Sequence, residues 1–187
     1  MRRVLFALLF ISCASSTYVT DVYRDPSAGA TSFQRVAAIV MVQDPAVRKQ
    51  AEDEMVRQIG SRAVASYTLL SAEDERGPEV VRAKLQSQGI DGAVTMRLLS
   101  AGEEPLDVGG NVGDPNKAFS GYYAGGRTNT TAWEQVVRVE TEIFSIADNK
   151  LLWSGATKTF NAEEAKDIVA NVSKTVSAEL RKSGLMK

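Results

Sequence analysis

The chain has 187 residues, 44% of them hydrophobic, 24% charged and 7% aromatic. That balance predicts one globular domain and excludes a collagen-like, wholly disordered or multi-span membrane protein. Lys and Arg number 22 against 23 Asp and Glu, so no basic excess points to nucleic acid. With no His and a single Cys, the chain has no Ser-His-Asp or Cys-His machinery, no imidazole metal site, no thiolate cluster and no internal disulfide.

Met1-Arg2-Arg3 leads into an apolar run over 4–11 that ends in small residues. These are the three regions of a secretory signal, and the run is far short of the roughly 20 residues a spanning helix needs. The one Cys closes it. Phe10-Ile11-Ser12-Cys13 resembles the bacterial lipobox, with a small residue before the Cys and an aliphatic one before that. The resemblance implies that residues 1–12 are a lipoprotein signal peptide, cleaved between Ser12 and Cys13. Cys13 would carry a diacyl group on sulfur and a further acyl chain, of the palmitate type, on its new amine. Each buried methylene contributes about 0.8 kcal/mol, so chains in combination anchor where one only tethers briefly. Ala14 follows the Cys, where an Asp would resemble an inner-membrane retention signal. The implied address is the outer membrane, facing the periplasm. The alternative is a plain secretory signal in which Cys13 is incidental, or a Cys buried as a small hydrophobe.

Residues 13–32 are rich in small polar side chains and show no sustained periodicity, so the lipidated Cys13 is expected to continue into a flexible tether. Tyr18, Val22 and Tyr23 are its candidates for local docking. A single domain is expected over 33–187. Its first strand is the β-branched apolar run 35–42. Asp44-Pro45 supplies an N-cap and a proline at the first helical position, and Gly60 closes the helix. Between them Val47, Ala51, Met55, Val56 and Ile59 recur at helical spacing, with charges in the gaps. A short second strand follows over 63–67. The next helix opens at Gly77-Pro78, buries Val81 and Leu85 and ends at Gly89; Asp91-Gly92 then leads into a third strand over 93–99. Strand, helix, strand, helix, strand implies parallel pairing through right-handed crossovers.

From 133 to 146 the chain alternates. Trp133, Val137, Val139, Thr141 and Ile143 point one way, and Glu134, Arg138, Glu140 and Glu142 the other, as in a strand with one wet face. Asp148-Asn149 is a tight turn, and 151–157 returns as the hairpin partner. Asn161 is expected to cap the last helix in a capping box with Glu164, and Gly184 to end it. Ala165, Ile168, Val169, Val172, Val176 and Leu180 form its apolar stripe. The expected fold is α/β with an α+β tendency. It is a two-layer sandwich of a mixed five-stranded sheet and three helices, mainly on one face, in the order β-α-β-α-β-β-β-α.

Between the third and fourth strands, 101–130 reads as a long loop holding half of the chain's 14 glycines. Loops of this length are functional or disordered. Phe119, Tyr122 and Tyr123 within it make an adaptable contact surface, unless the rings fold back over a sheet edge. Its glycines form no dinucleotide fingerprint and no phosphate loop, since no helix starts from them. No spacing matches a calcium loop. No metal or non-covalent cofactor is expected; the covalent lipid on Cys13 is the only added group.

Three stretches carry a family resemblance: the apolar first strand 36–42, Asp91-Gly92-Ala93-Val94, and Lys150-Leu151-Leu152-Trp153-Ser154-Gly155. Over 35–185 the chain resembles small bacterial outer-membrane lipoproteins whose α/β domain is similar to the amino-terminal domain of the periplasmic protein TolB. The similarity extends to the peptidoglycan-synthase activating lipoproteins and the curli-secretion lipoprotein. Trp153 is expected as a packed ring and Gly155 as a small residue where another backbone passes. Fold similarity does not carry function. The reading that follows is a non-catalytic lipoprotein that binds another cell-envelope protein or assists its assembly, without nucleic acid. Its contact residues would be Phe119, Tyr122 and Tyr123 with Arg138, Glu140 and Glu142. The competing readings are a carrier of a small lipid or glycan, and a hydrolase using Glu140 or Glu142, with Glu103 and Glu104 as further carboxylates. Oligomeric state is left open.

Overall fold

The computed structural model describes residues 16–28, 31–74, 77–108, 130–160 and 165–182. The strands are β1 (Ser16–Arg24), β2 (Val36–Met41), β3 (Ala63–Ala65), β4 (Gly92–Val108), β5 (Thr130–Ser145) and β6 (Lys150–Phe160). The helices are α1 (Pro45–Ile59), α2 (Pro78–Ser87) and α3 (Ala165–Lys182), and a 3₁₀ turn at Ser66–Thr68 follows β3. All six strands form one mixed sheet in the order β1-β6-β5-β4-β2-β3. The α/β class, the mixed sheet and the three helices match the expectation, with one strand more than predicted. Asn161, Glu164 and Gly184, the predicted ends of α3, lie outside the described residues.

The helix boundaries follow from local chemistry. Asp44 caps α1, its Oδ1 accepting from the backbone N–H of Ala46 at 2.8 Å and of Val47 at 3.3 Å. Gly60 closes the helix at φ 101° and Gly89 follows α2 at φ 72°, a region that favours glycine.

The parallel strands run β4-β2-β3 in space, so the first crossover steps outward from β2 and the second steps back across it. Two right-handed crossovers in opposite directions put their helices on opposite faces. The packing agrees. Val36, Ala38, Val40, Val94 and Met96 pack with Ala51 and Met55 of α1 and Val172 and Val176 of α3. The alternate residues Ala37 and Ala93 pack instead with Leu85, Ile90 and Ile146, joined by Val81. The helices are mainly on one face, as expected: α1 and α3 cover the inner face, while α2 adds a third layer at one corner of the outer face, which a two-layer sandwich does not include.

Three polar devices hold this half together. Pairing of β2 with β3 stops at Ala38 and Ala65, and beyond it the N–H of Val40 bonds Glu52 Oε1 at 3.1 Å. Glu52, fully buried in α1, also accepts from Arg48 Nε at 2.9 Å, the Ser66 hydroxyl at 2.7 Å and the Tyr67 N–H at 2.9 Å. One carboxylate thus joins a helix to the ends of two strands. Asp91 accepts from the N–H of Gln34 at 2.7 Å and of Arg35 at 2.9 Å, tying the start of β4 to that of β2. Arg82 of α2 donates to the carbonyls of Ile146 and Ala147, both at 3.1 Å.

The antiparallel half departs further from expectation. Residues 16–24, expected within a tether, form β1, which pairs with β6 from Ser16–Phe160 to Arg24–Trp153 across a bulge between Thr20 and Tyr23. A strand partner far along the chain supplies the hydrogen bonds that local sequence cannot. The expected loop shortens from both ends, because β4 and β5 pair out to Val108–Thr130. Residues 109–129 lie outside the described residues. Trp153 is fully buried, and a Cβ on Gly155 would stand 2.5 Å from its ring and 3.1 Å from the Val19 side chain. Gly155 therefore makes room for an indole, not for a passing backbone.

Asp25, just after β1, locks this strand in place. Its Oδ1 accepts from Lys150 Nζ at 2.9 Å and from Ser27 N–H at 2.8 Å, with the Ser27 hydroxyl also in contact, and its own N–H bonds the Leu152 carbonyl at 2.9 Å.

Replacing Glu52 by Ala leaves the Arg48 guanidinium and two backbone donors without their shared acceptor. We expect a loss of about 3–5 kcal/mol in urea unfolding, with Glu52→Gln intermediate. Lys150, and then Ser27, hold the Asp25 carboxyl down at about 2 against an ordinary 3.8. A carboxyl with a lowered pKa stabilises the fold above its ordinary value and loses that contribution as pH falls through the lowered one. The stability difference between wild type and Asp25→Asn should therefore hold steady above about pH 4 and fade toward pH 2, read by urea unfolding along that range.

Candidate binding face

The outer face beyond α2 is built by four antiparallel strands. Strand pairing sets its rungs: Arg97, Glu140, Ala156 and Thr20; then Arg138, Lys158 and Tyr18; then Val136, Phe160 and Ser16. A register shift between Leu98 and Ser100 brings Ser100, Gly102 and Glu104 onto the same face. Arg138, Glu140 and Glu142, singled out from the alternation, do share this face. The other expected contact residues, Phe119, Tyr122 and Tyr123, and the signal residues Ser12 and Cys13 lie outside the described residues.

The charges here are paired in advance. Arg97 bonds Glu140 across β4 and β5. Glu104 reaches back along β4 and holds two cations at once, Arg138 at 2.9 Å and Lys158 at 2.6 Å. Lys158, and then Arg138, push the Glu104 carboxyl below its ordinary range. The Lys158 ammonium also stands 5.1 Å from the centre of the Phe160 ring. That ring stacks on Tyr18 with centroids 5.6 Å apart. Val136 and Phe160 are buried yet belong to neither core cluster, so with Tyr18 they form an apolar island beside the charged one.

Glu142 is different. Among the described residues no hydrogen bond or ion pair reaches it; burial, then the charge of Glu140, raises its pKa, and Arg97 offsets this only in part. Of the other carboxylates considered for hydrolysis, Glu140 and Glu104 are tied to cations and Glu103 accepts from Gln135 at 3.3 Å. Among the described residues no three His, Cys, Asp or Glu side chains gather as a metal site.

Arg97, Lys158 and Phe160 escaped the sequence reading. The predicted hairpin partner stopped at 157, one residue short of the lysine, although Ser154, Ala156 and Lys158 continue the alternation. Trp133 has the parity of the core residues but is 64% exposed, because its part of β5 runs past the helices that cover the rest.

Two concavities flank the sheet. A cleft of about 200 Å³ between α1 and α3 is lined by apolar residues including Val42, Val47, Leu98 and Ile168. A groove of about 700 Å³ lies beside α2, lined by Ile39, Met41, Val81, Thr95 and Phe144 with Arg48 and Arg82. Both arginines are already engaged, with Glu52 and with the Ile146 turn.

No protein-family model matches the chain, and no curated protein matches it, so the TolB-like resemblance stands on its motifs alone. Among solved structures, the PelC dodecamer from Paraburkholderia phytofirmans is similar in two crystal forms, one of them of a point variant. The identities are 10% and 13%, with TM-scores of 0.47 and 0.46, over 88% of this chain and 96% of that one. The lipoprotein GNA1162 from Neisseria meningitidis is similar at 9% identity and a TM-score of 0.40, over 79% of this chain and 98% of that one.

A carboxyl whose pKa is raised in the fold opposes folding once it is ionised. Glu142→Gln should therefore raise Tm at pH 7. The gain should shrink as pH falls through the ordinary glutamate value of 4.5, measured by thermal melts at both ends of that range.

Proposed function

We propose that this chain is a non-catalytic lipoprotein, anchored through Cys13 to the outer membrane of a bacterial envelope, whose outer sheet face binds another envelope protein in the periplasm. The observation that carries the reading is the charge cluster on the outer sheet face. Arg138, Glu104 and Lys158 are held in place there, beside an exposed Tyr18 stacked on the buried Phe160 ring. A protein partner gains from charges and rings that are ordered before it arrives, since less freedom is lost on binding. Paired charges add selectivity and faster encounter more than raw affinity.

The carrier of a small lipid or glycan is the second reading. The cleft between α1 and α3, at about 200 Å³, falls below the roughly 300–1,000 Å³ of ordinary ligand pockets. The groove beside α2 is large enough, but its two arginines are committed to the fold. The face is the better site.

A photo-crosslinking residue placed at Thr20, on the same face but outside the charge cluster, should give a discrete adduct in living Gram-negative cells. The same residue at exposed Gln50 on α1 should not. The double neutral substitution Arg138→Gln with Lys158→Gln should abolish the adduct formed from Thr20 and leave Tm near that of the wild type, because partly exposed ion pairs stabilise little. An adduct that survives the substitution sinks the assignment of the face. The anchor is checked by intact mass, which should begin at acylated Cys13 and change in Cys13→Ser.

A further inference from the structure

One end of the sheet carries more than the partner face needs. The rung Ser16, Phe160, Val136 and Gly102 is the last that four strands share. Beyond it only β4 and β5 continue, as an arm paired from Glu103–Gln135 to Val108–Thr130. Six rungs extend it about 20 Å past the body. Trp133 stands on this arm opposite Pro105, with 64% of its surface open to solvent. This indole belongs to neither core cluster, so its ring and N–H are free to meet a surface outside the fold.

Chain length identifies that surface. Cys13 is three residues before Ser16, and Trp133 is three residues before Val136 on a strand running the opposite way to β6 and the same way as β1. β1 and β5 therefore enter the shared rung from the same end, and Cys13 is three residues of chain from it. Three residues span at most about 10 Å, and β1 and β5 are separated by one strand, about 10 Å centre to centre. A lipid on Cys13 therefore holds this end of the sheet within about 10 Å of the bilayer, which puts Trp133 within reach of its surface.

We propose that the β4–β5 arm is a membrane-contact element, with Trp133 seated among the headgroups of the bilayer that holds the Cys13 lipid. This rests on the lipid anchor proposed above. An indole suits that depth because its ring is apolar and its N–H still finds acceptors there. Glu103 is exposed on the arm and Glu134 partly so. Their charges oppose an anionic surface within a Debye length of about 10 Å, so the headgroups it fits are zwitterionic.

The test uses the full acylated protein, purified in detergent and reconstituted in phosphatidylcholine vesicles, with and without lipid brominated high on its acyl chains. Trp153 is fully buried and supplies a constant background, and Trp133→Phe assigns the rest of the fluorescence. Vesicles should remove most of the acrylamide-accessible signal, brominated lipid should quench it, and Trp133→Phe should show neither effect. Added phosphatidylglycerol should weaken both at low salt. An acylated, vesicle-bound protein whose Trp133 stays as open to acrylamide as in the detergent-free Cys13→Ser protein overturns this inference alone. A Cys13 found unacylated by mass spectrometry overturns the anchor and this inference with it.

Discussion

The buried Glu52 carboxylate decides how the parallel half of the sheet closes. Taking a carboxylate out of water costs several kcal/mol, and the cost is met only when charge and hydrogen bonds surround it. Here one guanidinium, one hydroxyl and two backbone N–H groups do so. Three of those four donors come from outside α1, so the carboxylate is satisfied only when β2, the turn after β3 and α1 are all in place. β3 has only three residues and pairs with β2 at three positions. Strand pairing alone would hold such an edge weakly. The Glu52 contacts make it part of the same unit as the helix.

The antiparallel half is organised by a different constraint, the reach of β4 and β5. These two strands are longer than the helices can cover. α1 and α3 bury one face, α2 covers a corner of the other, and the rest is left to its own side chains. The ion pairs and the Tyr18–Phe160 stack occupy that remaining surface. The free edge beside it is blunted: β1 has a bulge between Thr20 and Tyr23, and Asp21 there sits at φ 51°. A bulged edge discourages another strand from adding to the sheet. A partner of the proposed kind would therefore meet side chains of the face in preference to the backbone of the edge, which favours selectivity by charge pattern.

The features written into short windows were legible. Asp44-Pro45 and Gly60 bounded α1, and the alternation after 133 put Arg138, Glu140 and Glu142 on one face. What could not be read depended on distant chain. Glu52 lies among Arg48, Lys49, Asp53 and Glu54 and looks like one more solvated charge; only the strand ends that converge on it bury it. The one local signal was its i, i+4 spacing from Arg48. Residues 17–23 contain Thr, Tyr and Val in abundance, all good strand formers, but the pairing that makes them a strand comes from β6. Trp133 shows the limit of alternation, which assigns a face without saying where the cover on that face ends.

The conversion of the expected tether into β1 changes what the proposed anchor does mechanically. About 18 residues of flexible coil would let the domain wander with a root-mean-square reach of roughly 23 Å, and any surface could face any direction. With β1 in the sheet, only two residues separate Cys13 from Ser16, and the anchor holds one edge of a rigid body. Arg138 lies two residues from the terminal rung, about 7 Å along the strand. The proposed lipid would then hold the charged cluster close to the membrane. A protein of the proposed kind docking there would itself be at the membrane surface, confined to two dimensions with its target. Under the proposed anchor and partner, encounter would be frequent without a large interface, so modest, pre-ordered charge pairs on a small face would serve for recognition.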